Sequence, residues 1–278
     1  MEIEKEIFQG VTPKAYPTIA QGWGIMGYFL LIGMLLMIPI GLLSFVGIDP
    51  KTDWFLFLTY CIPMLILLWI TSAYRKKNIS NRKGYSFRRI PLSLFPVLIG
   101  VTIALIILLE PLSSIIPSPD WLKELMNSGI ILNYWGFLTL AVAAPILEEL
   151  LMRGVVLEGL LQNYEPRKAI IWSAVFFGVL HMNLAQFVGA FLIGIVIGWL
   201  YWKTDSLWPG ILIHFVNNSL AFAGMVYFPD SEGIFFYDLV GNPLLYGLLL
   251  LVCVAIVWVT YKYVQSVCEK RGNVAVNC

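Results

Sequence analysis

Eight apolar runs, separated by short polar or proline-bearing intervals, pattern this chain: 23–47, 54–74, 91–109, 131–152, 169–185, 187–203, 209–227 and 243–264. Each is close to the ~20 residues that cross a bilayer as a helix. The pattern predicts an all-α fold, a polytopic transmembrane helical bundle of about eight spans. Only a few residues divide the pair within 169–203, so that boundary is the least marked. The bundle is expected to form one unit over 23–266, with a cytoplasmic N-terminal arm at 1–22 and a cytoplasmic tail at 267–278. Pro111, Pro117 and Pro119 break the segment 111–130, which reads as an outer loop with a short amphipathic helix near 120–128.

Polar residues interrupt these runs at a few places. The fourth run holds Glu148, Glu149 and Arg153, the fifth His181, and the seventh His214 and Asn218. The two histidines are the only ones in the chain. A charged group at the centre of a bilayer costs about 2.5–3.5 kcal/mol on insertion scales, so such groups normally face a protein interior and act there. Helical spacing sorts them. Glu149 and Arg153 are four apart and share a face, which suits a charge-assisted ion pair. Glu148 lies about 100° around the helix from Glu149, so the two carboxylates can serve different partners. His214 and Asn218 line one face of their helix, and Phe177 is placed to stack on His181 and limit its rotamers.

Composition agrees with the pattern. Apolar residues make up 59% of the 278, charged residues 13%, and mean hydropathy is +0.81. This excludes an ordinary soluble domain, and no nucleic-acid partner is expected. Glu2, Glu4 and Glu6 stand where a signal peptide would be basic, so the first helix is expected to persist. The net charge of +1 hides seven basic residues between the second and third runs: Arg75, Lys76, Lys77, Arg82, Lys83, Arg88 and Arg89, with no acid among them. That loop is expected in the cytoplasm, which places both termini there and makes the protein a multi-pass protein of the cell membrane. Cys61 and Cys253 fall within runs and Cys268 and Cys278 near the end, so no structural disulfide is expected.

The polar set suggests hydrolysis. A carboxylate in a poorly hydrated site can act as a general base, a histidine beside it can orient a water, and a second histidine with an amide can donate to a developing oxyanion. Ser173 and Ser219 sit in no nucleophile motif and read as packing or backbone-bonding hydroxyls. Two histidines and a glutamate are also a legitimate zinc set, although HExxH is absent and the ligands would come from three helices. Pro145, three residues before Glu148, is placed to kink the helix and free a carbonyl. Gly194 and Gly198 form a GxxxG pair for close helix contact, with Gly178 and Gly189 as further small surfaces. Depth is harder to reconcile. By helical rise, Glu148 is about 26 Å from residue 131, His214 about 8 Å from 209 and His181 about 18 Å from 169.

In sequence order, AAPILEELLMRG carries EExxxR as Glu148, Glu149 and Arg153. VFFGVLHMN carries FxxxH as Phe177 and His181, and ILIHFVNN carries HxxxN as His214 and Asn218. This ordered set, within about residues 131–222, resembles the CPBP family of membrane proteases, which includes the CAAX prenyl endopeptidase and bacterial relatives linked to bacteriocin processing and immunity. The resemblance implies a glutamate-dependent intramembrane endopeptidase without a catalytic metal. By it, Glu148 and His181 hold and activate the water, His214 and Asn218 stabilise the oxyanion, and Glu149, Arg153 and Phe177 support the site. The implied partners are the lipid bilayer and a peptide or protein substrate, prenylated or bacteriocin-related. The competing class is a nonenzymatic immunity, scaffold or transport protein on the same fold. A transporter is expected to show internal pseudo-repeats, which this sequence lacks.

Overall fold

The computed structural model describes residues 15–43, 52–77, 84–114, 116, 132–228 and 236–275. All eight apolar runs form helices. In chain order the described helices are α1 (Ile19–Leu43), α2 (Asp53–Lys77), α3 (Leu94–Ser114), α4 (134–163), α5 (Pro166–Leu180), α6 (Leu184–Thr204), α7 (Trp208–Tyr227), the five-residue α8 (Phe236–Val240), which lies outside those runs, and α9 (Pro243–Ala275). Among the described residues there is no strand, only an isolated bridge between Phe87 and Ser206. The protein is a helical polytopic membrane bundle.

Six of the described helices, α1, α2, α3, α6, α7 and α9, are long and apolar enough to cross a membrane. Of the other three, α8 has only five residues, and α5 and α4 differ for distinct reasons. With 15 residues, α5 spans only about 22 Å, less than the ~30 Å hydrocarbon layer. α4 carries Glu148, Glu149, Arg153 and Glu158. It is also the most enclosed element, with every residue from Leu151 to Leu160 buried. Side chains that would be costly against lipid are thereby held among α2, α5, α6 and α7. The outer helices do the reverse and expose large apolar groups such as Met34, Trp69, Leu244 and Leu251, as lipid-facing surfaces do.

Several boundaries move from their expected places. α4 continues to Asn163, eleven residues past the expected end at 152. The continuation is satisfied internally, since Glu158 accepts from the Tyr201 hydroxyl (2.9 Å) and from the Gln162 amide (3.3 Å). α3 passes through Pro111 to Ser114, because a proline in the last turn disturbs little of the ladder that follows it. The expected helix near 120–128 lies outside the described residues, as do Arg82, Lys83 and Cys278. The turn dividing α5 from α6 is His181–Asn183, with Met182 at φ 48°. Residues 15–18, inside the expected arm, dock on the end of α4. Asn163 exchanges hydrogen bonds with Ala15 at 3.0 and 2.6 Å, and Pro17 lies so close to Gly159 that no Cβ fits between them. Cys61 and Cys253 are free thiols.

The glycine contacts are uneven. A Cβ at Gly194 would lie 3.2 Å from Phe177 and one at Gly198 3.2 Å from Ile170, so the GxxxG face presses α6 onto α5. Gly178 is closed over by Phe187, whereas Gly189 faces open space and makes none of the contact expected of it.

Candidate active site

α4 is built from five short segments, Tyr134–Phe137, Leu138–Ala143, Ala144–Leu151, Met152–Leu157 and Glu158–Asn163, of which the second and fourth are π-helical. The helical dihedrals are continuous across all four junctions. The first π-segment follows from Pro145. The Ala144 N–H turns to Thr139 O, five residues back. Leu140 O therefore loses its α-helical donor, and its π-helical donor would be residue 145, a proline without an N–H. Asn218 Nδ2 from α7 donates to this carbonyl at 2.8 Å. The freed carbonyl expected from Pro145 thus exists, and it fixes one of the candidate residues.

The second π-segment encloses Arg153. The Met152 N–H bonds back to Glu148 O and Glu149 O, and the Gly154 carbonyl accepts from the buried guanidinium of Arg75. π-Bulges rotate side chains out of strict α-helical register and recur at functional sites.

Around these segments the polar residues meet. Arg153 Nη1 lies 3.0 Å from Glu149 Oε1, with the two side chains 1% and 0% exposed. The arginine also stands 4.5 Å over the Phe177 ring and points Nη2 at Gly194 O at 3.4 Å. Phe177 in turn sets its edge-to-face contacts against both histidines, 5.2 Å from His181 and 5.4 Å from His214. A desolvated cation over a ring contributes about 2 kcal/mol or more. Phe177 therefore does more than limit His181: it spaces three site residues at once.

His214 bridges the two glutamates. Its Nδ1 is 3.3 Å from Glu149 Oε1 and its Nε2 is 4.0 Å from Glu148 Oε2. Glu148 Oε1 accepts from the Tyr60 hydroxyl of α2 at 2.7 Å, while Oε2 accepts no hydrogen bond from the described residues. His181, at the C-cap of α5, donates from Nδ1 to Phe177 O at 2.9 Å, which leaves Nε2 as its other ring nitrogen. Glu148 and His181 line one small cavity of about 80 Å³, together with Tyr60, Phe29, Met64 and Leu180.

The depth conflict disappears with the longer α4. α4 and α5 turn on Tyr164 and Glu165. Measured from that turn, Glu148 and His181 are each 15 residues, about 22 Å, up their helices. His214 reaches them although it is only six residues into α7, because α7 starts inside the protein: Ser206 and Leu207 before it are both 1% exposed.

The sequence pattern misses two contributors. Tyr60 stands alone in an apolar run, with no spacing that marks it. Gly210 permits the close approach of α7 to α4, since a Cβ there would fall 2.5 Å from Glu149 Oε2 and 2.6 Å from Ile197. Gly210→Ala is expected to displace Glu149 from His214 and to destabilise the protein by about 1–3 kcal/mol through overpacking. The thermal unfolding midpoint of the purified variant measures this, and a wild-type value would contradict the close-packing argument. Of the two serines, Ser173 bonds Met152 O at 3.4 Å, whereas Ser219 Oγ is buried without a hydrogen-bond partner among the described residues.

Among the described residues, no group of three or more His, Cys, Asp or Glu side chains is placed to hold a metal ion. His214 Nε2 and Glu148 Oε2, two atoms of the considered zinc set, are 4.0 Å apart, wider than neighbouring donors on tetrahedral zinc with ~2.0–2.1 Å bonds.

Residues 130–220 match a family model described as type II CAAX prenyl endopeptidase Rce1-like. No curated protein and no solved structure matches the chain. The matched segment is a third of the chain and contains Glu148, Glu149, Arg153, Phe177, His181, His214 and Asn218. It supports the CPBP resemblance carried by the three motifs.

Proposed function

Taking a CAAX-protease (CPBP) family core at residues 130–220 as premise, we propose that the protein is an intramembrane endopeptidase in which Glu148 activates a water against a peptide bond. The observation that carries this reading is the convergence on Glu148 of side chains from three other helices: Tyr60, His181 and His214. Glu148 accepts from Tyr60 at Oε1, and its Oε2 stands 4.0 Å from His214 Nε2.

In the proposed reaction the water is held between Glu148 and His181. Glu148 takes one proton as the water oxygen bonds to the scissile carbonyl carbon. The carbonyl oxygen becomes an oxyanion, which accepts from His214 Nε2–H and from the Asn218 amide hydrogen not given to Leu140. Because Nδ1 donates to Glu149, donation from Nε2 at the same time requires the imidazolium. When the tetrahedral intermediate collapses, the C–N bond breaks and Glu148 returns its proton to the leaving amine. Glu149 and Arg153 fix the His214 ring, and Phe177 spaces the histidines.

A lipidated substrate is supported by an apolar groove of about 180 Å³ between α3, α4 and α7, whose walls include Pro145, Ile146, Trp208, Ile211 and Phe215. It adjoins the helical turns that carry Glu148 and His214 and suits a hydrocarbon chain, which favours a prenylated CAAX-type peptide over a soluble one. The basic loop after α2 supports cytoplasmic termini and substrate entry from the inner leaflet of the cell membrane. Purified protein in liposomes, offered a quenched fluorescent peptide with and without a farnesyl group, tests this. The farnesylated peptide is expected to be cleaved with a kcat/KM higher by about 10-fold or more, from the buried hydrocarbon. Equal rates on both would remove the groove from the reading, and cleavage of neither by an otherwise folded protein would favour the nonenzymatic class.

A further inference from the structure

Each of the four principal site residues is anchored by a hydrogen bond that leaves a ring nitrogen, a carboxylate oxygen or an amide hydrogen over. His181 is held at Nδ1 by Phe177 O, His214 at Nδ1 by Glu149, and Asn218 through Nδ2 by Leu140 O. All three anchors lie within the family-matched segment, 130–220. Glu148 follows the same pattern with one difference. Its anchor, the Tyr60 hydroxyl at 2.7 Å, comes from α2, seventy residues before that segment begins.

We propose that Tyr60 is the positioning residue of Glu148, a member of the site supplied from outside the motif-bearing segment. This rests on the reading of Glu148 as the base. Three observations support it. The bond joins a neutral O–H donor to one carboxylate oxygen and so distinguishes the two: Oε1 is occupied, and Oε2 is left to take the proton. A carboxylate on an α4 turn next to a π-segment has rotamers available that would carry it away from His181, and a charge-assisted bond of this length is strong enough to select one. Tyr60 also lines the small cavity with Glu148 and His181, where its phenol is the one hydroxyl among six lining residues. A tyrosine kept only for packing has no need of its hydroxyl there, and a purely apolar span would supply Phe or Leu.

Tyr60 in turn locates α2 in the site. α2 packs on α4 and on α1, so the hydroxyl couples the placement of the outer helices to the geometry of the base.

The test is Tyr60→Phe, which keeps the ring and removes only the donor. The purified variant is assayed in liposomes with the farnesylated quenched peptide, beside the wild type and Glu148→Gln. The expected result is a kcat lower by about 10- to 100-fold, with KM within about twofold and the fold retained. A packing role would leave kcat intact in a variant that retains the ring. Independently of turnover, infrared spectroscopy reads the bond: the carboxyl band of Glu148, identified as the one lost in Glu148→Gln, is expected to shift in Tyr60→Phe. A wild-type kcat in Tyr60→Phe, or an unmoved Glu148 band, would overturn the proposal. If Glu148→Gln keeps wild-type turnover, it is the assignment of Glu148 as base that fails. An inactive Glu148→Gln beside a fully active Tyr60→Phe sinks the Tyr60 role alone.

Discussion

Glu148→Gln is expected to lower peptide cleavage by about 10²–10⁴-fold, the usual share of a positioned general base, while the protein still inserts and folds. Glutamine matches the glutamate in shape and can still accept the Tyr60 hydrogen bond at its amide oxygen. It cannot take a proton from water. The site should therefore keep its packing and lose its chemistry, a separation that truncation to alanine would blur. Product formation on the farnesylated peptide checks the rate, and detergent-solubilised yield with thermal unfolding checks the fold. Retained cleavage would remove Glu148 as the base even if every contact around it proved correct.

The second large effect is expected on stability. Arg153→Met leaves Glu149, 0% exposed, without its cation at 3.0 Å. Breaking one side of a buried ion pair costs about 3–5 kcal/mol, because the remaining charge is uncompensated. The same substitution removes the cation from the face of Phe177 and so loosens the ring that spaces the two histidines. Glu149→Gln in the Arg153→Met background removes the orphaned charge, and the double variant is expected to recover a good part of the lost thermal stability. Activity should stay low in both, because His214 has lost its fixed carboxylate. Thermal unfolding of the wild type and the two variants in detergent decides it. An unchanged midpoint for Arg153→Met, or a double variant less stable than the single, would show that the pair is not what holds the centre of α4.

The apolar runs made the helices legible, and the helical spacings made most of the site legible. Glu149 with Arg153 and Phe177 with His181 could be paired because an i,i+4 relation is local and survives whatever the tertiary fold does. The contacts between helices could not be paired this way. Nothing in the spacing says that His214 stands between the two glutamates, that Asn218 reaches Leu140 O, or that Tyr60 from a separate run bonds Glu148. α4 shows the same limit in its length. Its polar residues look like the end of a span, yet the helix continues to Asn163, because Glu158 is met by Tyr201 and by Gln162 of the same helix, and the Gly154 carbonyl by Arg75. Pro145 lies between these cases. Its missing N–H is local knowledge and predicts a free carbonyl, whereas the identity of the donor is not.

The central claim, that Glu148 drives hydrolysis of a membrane-associated peptide, is tested most directly without assuming the substrate. Membrane fractions from cells producing the wild-type protein and from cells producing equal amounts of Glu148→Gln are compared by mass spectrometry of protein termini. The account predicts a set of proteins whose termini are shortened only with the wild type and intact with Glu148→Gln. Identical termini in the two fractions, with both proteins inserted at equal level, would contradict it.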